Sequence, residues 1–179
     1  MQNSELSLEY LDEHKNEIFT IIPELEDEDG FDQKSPWHIY DVWKHTEVAL
    51  TNSNHDFEER LALLLHDIGK PHCYQDDGEV RHFRGHAQKS AEISKDILKR
   101  LDVDDTEASK ILYLIENHST IIDTNKINMR NIKKKKKLLN IQYCDTKAYN
   151  PDKIGPVINR LDKIKKCIDS KEKEYELEK

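Results

Sequence analysis

The sequence predicts an all-α fold, a bundle of about six to eight helices, and three observations predict it. Apolar residues recur at spacings of three and four along most of the chain, the period of one helix face. Glycine and proline number five each and fall mostly between the periodic segments, as joints rather than interruptions. The stretch that lacks this period, Tyr74 to Gly85, is short and carries Asp76, Asp77 and Gly78, so it reads as a loop or short hairpin. At 179 residues the chain suits one compact domain spanning 1–179.

Leu8, Leu11, Ile18 and Phe19 predict an N-terminal helix over 5–22, stopped by Pro23 and followed by an acidic loop from Glu24 to Gly30. A second helix is expected after Pro36, with Val42, His45 and Ala49 on one face. From Asp56, a residue type that caps helix N-termini, Phe57, Leu61, Leu64, Leu65 and Ile68 predict a third helix. Gly69 and Pro71 end it, which puts His66 and Asp67 in its last turn. A fourth helix is expected from about His86 to Leu101, and a fifth from Asp105 or Thr106 carrying Ala108, Ile111, Ile115 and His118. Leu138, Ile141, Asp145 and Ala148 share a further face. Val157, Leu161, Ile164 and Ile168 predict a last helix over 156–174, with the charged tail Lys171 to Lys179 fraying.

Composition excludes several classes. The longest uninterrupted apolar runs, Leu61 to Leu65 and Ile111 to Ile115, are five residues each, whereas a membrane-spanning helix needs roughly twenty. No membrane partner is therefore expected, and no basic-then-apolar leader opens the chain. A net charge of -8, from 28 basic and 36 acidic residues, argues against indiscriminate coating of nucleic acid. Cys73, Cys144 and Cys167 are odd in number and form no Cys-x-x-Cys, so no disulfide framework is suggested and a cytoplasmic location is expected.

Three predicted helices each aim one polar residue, His45, His118 or Asp145, into an apolar face, and another delivers His66 and Asp67 side by side. Burying an ionised carboxylate alone costs several kcal/mol, so a cation, a metal or a dense set of donors must meet Asp145. A single inward histidine is more often a hydrogen-bonded core residue than a ligand. Converging imidazoles and carboxylates instead suit iron, manganese, nickel, cobalt or zinc. Two such ions about 3.5–4 Å apart need a bridging carboxylate, for which Asp67 is the candidate.

Leu63 to Pro71 reads Leu-Leu-Leu-His-Asp-Ile-Gly-Lys-Pro; upstream stands His38-Ile39-Tyr40-Asp41-Val42-Trp43-Lys44-His45-Thr46, and downstream come Gly85-His86, Asn117-His118 and Cys144-Asp145. In wording and order these motifs resemble the HD superfamily of metal-dependent phosphohydrolases, and in particular the HD domain that accompanies bacterial CCA-adding tRNA nucleotidyltransferases. The resemblance covers Gln33 to Asn150 and implies a compact HD-domain bundle with its motif-bearing core over 33–150. It implies that His45, His66, Asp67 and Asp145 ligate one metal, and that His86 and His118 bind a second with Asp67 bridging. It makes Asp67 and Lys70 the catalytic residues, Lys70 facing a substrate phosphate; the other reading of Lys70 is a solvated lysine near a helix C-terminus. His38, His82 and Arg84 lie inside the motifs without matching ligands and are assigned to phosphate contacts or to supporting the ligands. His14, His55 and His72 have no such support and are expected in solvent.

Lys126 to Lys137 holds seven basic residues and no acidic one; without it, 21 basic residues face 36 acidic ones. It is read either as a solvated face or as a patch that steers a polyanion such as an RNA end towards the site. The expected function is a metal-dependent hydrolase acting on phosphate ester bonds of a nucleotide or related small phosphate. It would use one or two divalent transition metal ions and metal-activated hydroxide attack on phosphorus. Two alternatives stay open: a di-iron oxygenase with the same ligand pattern, and a non-catalytic RNA- or nucleotide-binding module. The chain leaves no room for the catalytic head of a nucleotidyltransferase, so nucleotidyl transfer is not expected.

Overall fold

The computed structural model describes residues 6–54 and 56–177, and among them the fold is all-α apart from one two-stranded hairpin. Glu5, at the start of the expected 5–22 helix, and His55 lie outside the described residues. Helix α1 (Leu8–Ile21) begins where the Ser7 hydroxyl accepts a hydrogen bond from the Tyr10 N–H at 3.1 Å. Pro23 then opens a short 3-10 turn, Pro23–Glu28.

The second helix, α2 (Val42–Thr51), starts later than Pro36 suggests. The Asp41 carboxylate accepts from the Lys44 N–H at 2.8 Å and sets the start there. The preceding segment is committed elsewhere: the carbonyls of Trp37 and Pro36 accept from the Asn150 backbone and side chain, at 2.8 and 3.2 Å. Helix α3 (Phe57–Leu65) is capped by Asp56 as expected, accepting from the Glu59 N–H at 3.0 Å. It ends three residues short of Ile68, so His66 and Asp67 sit just beyond the helix rather than in its last turn. The physical reason is His66, whose Nδ1 bonds the Leu63 carbonyl at 2.7 Å, the acceptor that the Asp67 N–H would need if the helix continued.

A one-turn helix, α4 (Lys70–Cys73), leads into the hairpin of β1 (Gln75–Asp76) and β2 (Arg81–His82), with Gln75 opposite His82 and Asp76 opposite Arg81. Gly78, at φ +97°, closes its turn. Helix α5 (His86–Arg100) follows, then α6 (Asp105–Asn117), capped by Asp104, and α7 (Ile132–Lys147). Helix α8 (Gly155–Leu177) continues as far as Leu177, into the charged stretch expected to fray, whose last two residues lie outside the described ones. Lys171 donates to the carbonyls of Thr124 and Ile127 at 3.0 and 2.8 Å, and Lys136 pairs with Glu172 at 2.8 Å. No described helix is long and apolar enough to cross a membrane.

The apolar faces meet in one cluster running from Leu11 in α1 to Ile168 in α8. Leu63, Leu65, Ile111, Ile115 and Ile141 are fully buried at its centre, each stabilising the fold by about 1.5–3 kcal/mol. Two contacts in this core set the geometry of the polar cluster described below. Gly69 lies against α5, donating to Ser90 Oγ at 2.9 Å, and an added Cβ would stand 2.6 Å from both the His86 carbonyl oxygen and the Ser90 nitrogen. Glu28, fully buried, accepts from Thr46 Oγ1 at 3.3 Å and ties the 3-10 turn to α2 beside His45.

Gly69→Ala is therefore expected to destabilise the protein by about 1–3 kcal/mol through overpacking, whereas Gly155→Ala, whose added Cβ meets nothing within 4 Å, changes stability by less than about 0.5 kcal/mol. Thermal unfolding followed by circular dichroism separates the two. Burial and, after it, the Asp67 charge raise the Glu28 carboxyl from 4.5 to about 8. Between those values the folded chain holds on Glu28 a proton that the unfolded chain has released, so the contribution of this one group to stability falls as pH rises through that window. In denaturant titrations of the metal-free protein from pH 4.5 to 9, wild type should lose stability relative to Glu28→Gln as pH rises.

Candidate metal centre

Asp67 stands at the centre of the site, 1% exposed, with its two carboxylate oxygens facing different histidines. Oδ2 lies 3.2 Å from His66 Nε2 and 3.6 Å from His45 Nε2. Oδ1 lies 3.5 Å from His86 Nε2 and 3.7 Å from His118 Nε2. Asp145 completes the first side, its Oδ1 2.8 Å from His45 Nε2 and 3.5 Å from His66 Nε2. Two groups of potential ligand atoms result, His45–His66–Asp67–Asp145 and Asp67–His86–His118, and within each group the atoms all lie within 4.8 Å of one another. All six ligand residues expected from the sequence are thus brought together.

Backbone carbonyls orient the imidazoles. The Nδ1 atoms of His66, His86 and His118 each lie 2.7–2.8 Å from the carbonyl three residues back, at Leu63, Phe83 and Ile115, and His45 Nδ1 is 3.3 Å from the Ala148 carbonyl. A carbonyl only accepts, so His66, His86 and His118 each carry a proton on Nδ1, and the Nε2 atoms of all four imidazoles face the carboxylates of Asp67 or Asp145. His66 and His118 reach these carbonyls because they cap the C-termini of α3 and α6, where acceptors are left free.

This arrangement fits a cation. His86 Nε2 and His118 Nε2 are 3.0 Å apart; with both protons on Nδ1, two lone pairs face each other, a contact that a shared positive ion relieves. His66 Nε2 and Asp67 Oδ2 are buried without a well-formed hydrogen bond. Imidazole nitrogen and carboxylate oxygen without thiolate is the donor set of iron, manganese, nickel, cobalt and zinc. In the metal-free chain, protons and one lysine stand in. Burial opposes charge on His66, but the Asp67 and Asp145 carboxylates outweigh it and hold its pKa well above the usual value. Burial likewise opposes ionised Asp67, yet His66 and Lys70 keep its carboxyl well below 3.8. His118 goes the other way, pushed down to about 4 by burial and by the charge on His66.

Lys70 is buried rather than solvated: its ammonium lies 2.7 Å from Asp67 Oδ2 and donates to Gln33 Oε1 at 2.7 Å. It lines a cleft of about 300 Å³ with His38, Asp67, His82, Phe83, Arg84, His86, Ser119 and Tyr149. His38 stands half-buried with neither ring nitrogen partnered, and burial followed by the Lys70 charge lowers it to about 3, so its imidazole is neutral. Arg84 is exposed at the mouth and makes no ion pair among the described residues, whereas His82 Nε2 lies 3.4 Å from Asp77. His72 is exposed as expected; His14 is half-buried, stacked on Tyr10 at 4.1 Å. No residue of Lys126–Lys137 lines the cleft.

Sequence reasoning missed Tyr149 and Gln33. Tyr149 donates to Asp145 Oδ2 at 3.0 Å and stacks on His45, leaving Asp145 Oδ1 for the histidines. Its place four residues after Asp145 was a readable signal. Gln33 sits in a loop, 37 residues from Lys70, and carries no such signal.

Known proteins extend the picture. Over 104 residues the chain is 33% identical to the A-adding tRNA nucleotidyltransferase of Deinococcus radiodurans, a match covering 54% of this chain and 24% of that protein. It is 34% identical over 104 residues to the CC-adding tRNA nucleotidyltransferase of Thermus thermophilus, with the same shares covered. The match thus spans about a quarter of each of these relatives. No solved structure matches the chain significantly. The model of the HD domain matches residues 38–168. Matched over most of its length, and with a His-Asp pair at the centre of its buried cluster, the chain belongs to the HD domain family.

Proposed function

We propose that the chain is a metal-dependent phosphohydrolase that cleaves the phosphate ester of a nucleotide or related small phosphate. The observation that carries this reading is Asp67, which offers one oxygen to each of two ligand groups. His45, His66, Asp67 and Asp145 hold one divalent transition metal ion, and Asp67, His86 and His118 a second. The two relatives are named as tRNA nucleotidyltransferases, which favours a nucleotide or an RNA-end phosphate as the substrate class.

Bound there, divalent ions supply Lewis-acid polarisation of phosphoryl oxygens and water acidified towards neutrality. The chain's own residues do the rest. Asp67 fixes the spacing of the two ligand groups, and Tyr149 fixes the rotation of Asp145. Lys70, held by Gln33, presents its ammonium to a phosphate in the cleft as a point charge. Neutral His38 offers a hydrogen bond to the same phosphate without competing for the positive charge. Arg84 meets the anion at the entrance.

Elemental analysis of protein loaded with manganese or iron should find about two ions per chain, falling to about one in His118→Ala. Asp67→Asn should lose both bound metal and turnover of phosphate esters; turnover equal to wild type would overturn the reading. Lys70→Ala should keep the metal and lower kcat/KM by roughly tenfold to 150-fold, the worth of one charge-assisted hydrogen bond. Steady-state kinetics beside metal analysis tests both halves of that statement.

A further inference from the structure

A second cavity, of about 430 Å³, is lined by Glu58, Tyr113, Leu114, Arg130, Lys133 and Lys134 among others. It shares no residue with the cleft over Asp67. Lys134 precedes Asp145 by eleven residues on α7, roughly 16 Å along the helix axis, and Tyr113 is turned about 140° around α6 from His118. The cavity is therefore a separate place on the molecule.

Its charge is unusual for where it stands. Lys133 to Lys137 fill the first turns of α7, the end at which the helix dipole favours anions and disfavours cations. Some of this charge is compensated: Lys137 pairs with Asp56 and Glu58, and Lys136 with Glu172. Arg130, Lys133 and Lys134 make no ion pair among the described residues. Glu58, the acid in the lining, is taken up by Lys110 and Lys137 at 3.0 and 2.6 Å. The floor is apolar, formed by Leu114 and the Tyr113 ring, which is held by a hydrogen bond from Lys135 at 2.9 Å. Lys134 Nζ rests 3.4 Å from the centroid of that ring, a weak contact at an exposed site that a ligand can replace.

We propose that this cavity is a second binding site, for a nucleotide unit whose base packs on Tyr113 and Leu114 and whose phosphate takes Arg130, Lys133 and Lys134. A bare phosphate or an acidic peptide has no use for the aromatic floor, and the volume lies within the range of small-molecule sites. The unit comes from a free nucleotide or from an RNA strand, and the site does not depend on the metal centre.

Fluorescence anisotropy with a labelled eight-residue oligoadenylate, with AMP as competitor, tests this on the metal-loaded chain. Lys133→Glu/Lys134→Glu should weaken oligoadenylate at least tenfold and reduce the salt slope by about 1.4, two phosphate contacts on a single strand. Tyr113→Leu should weaken it roughly tenfold. Both variants should retain phosphate-ester turnover, which also reports that they fold, and Asp67→Asn should bind the probe as wild type does. Full displacement by AMP identifies the free nucleotide as the source; resistance to AMP identifies the strand. Wild-type affinity in either cavity variant, no binding by wild type, or equal affinity for a phosphoserine peptide would overturn the proposal.

Discussion

The rest of the structure depends on one buried carboxylate. Asp67 is 1% exposed, and an ionised group so placed is tolerated only where positive charge and donors surround it. The fold supplies them from four directions: α2 brings His45, the end of α3 brings His66, α5 brings His86 and the end of α6 brings His118. Lys70 adds a fifth contact from the turn that follows. In the metal-free chain, charge on His66 and Lys70 balances Asp67 and Asp145. The pocket is thus already shaped in the metal-free chain, and its side chains would have little reorganisation left to make on meeting a cation.

The histidines also show that ending a helix and building the site are one interaction. A helix C-terminus leaves carbonyls without partners, and at α3 and α6 the imidazole Nδ1 takes one of them. That bond stops the helix, fixes the tautomer and points Nε2 inward. Gly69 has a matching role in packing: without a side chain it lets α5 approach until His86 stands across from Asp67. Backbone geometry and the geometry of the ligand cluster are therefore not separable here, and a change at Gly69 acts on both.

The same physics explains what could be read in the sequence. His45, His118 and Asp145 were legible because each keeps the spacing of three and four with apolar neighbours, and a helix turns that spacing into a shared direction. His66 and Asp67 were legible as a pair, but the helix end was placed at Gly69 because a glycine is a visible stop and a capping imidazole is not. The start of α2 was misplaced for a similar reason: Pro36 looks like an opening, while the hydrogen bonds of Pro36 and Trp37 to Asn150 span the chain. Gln33 and Glu28 act through partners that only the tertiary fold brings near. The lysine run was legible as charge alone; its distance from the cleft and its neighbour Tyr113 follow from how α6 and α7 pack.

Lys70 links the buried charge balance to the proposed chemistry. Its ammonium pairs with Asp67 Oδ2 at 2.7 Å and donates to Gln33 Oε1. With a cation held by Asp67 and the histidines, Lys70 would no longer be needed to balance the Asp67 charge. Lys70 would then keep its tether to Gln33 and be free to turn a donor towards the cleft lined by His38 and Arg84. On the proposed function, filling of the metal centre and availability of Lys70 to a phosphate would be coupled through one atom, Asp67 Oδ2.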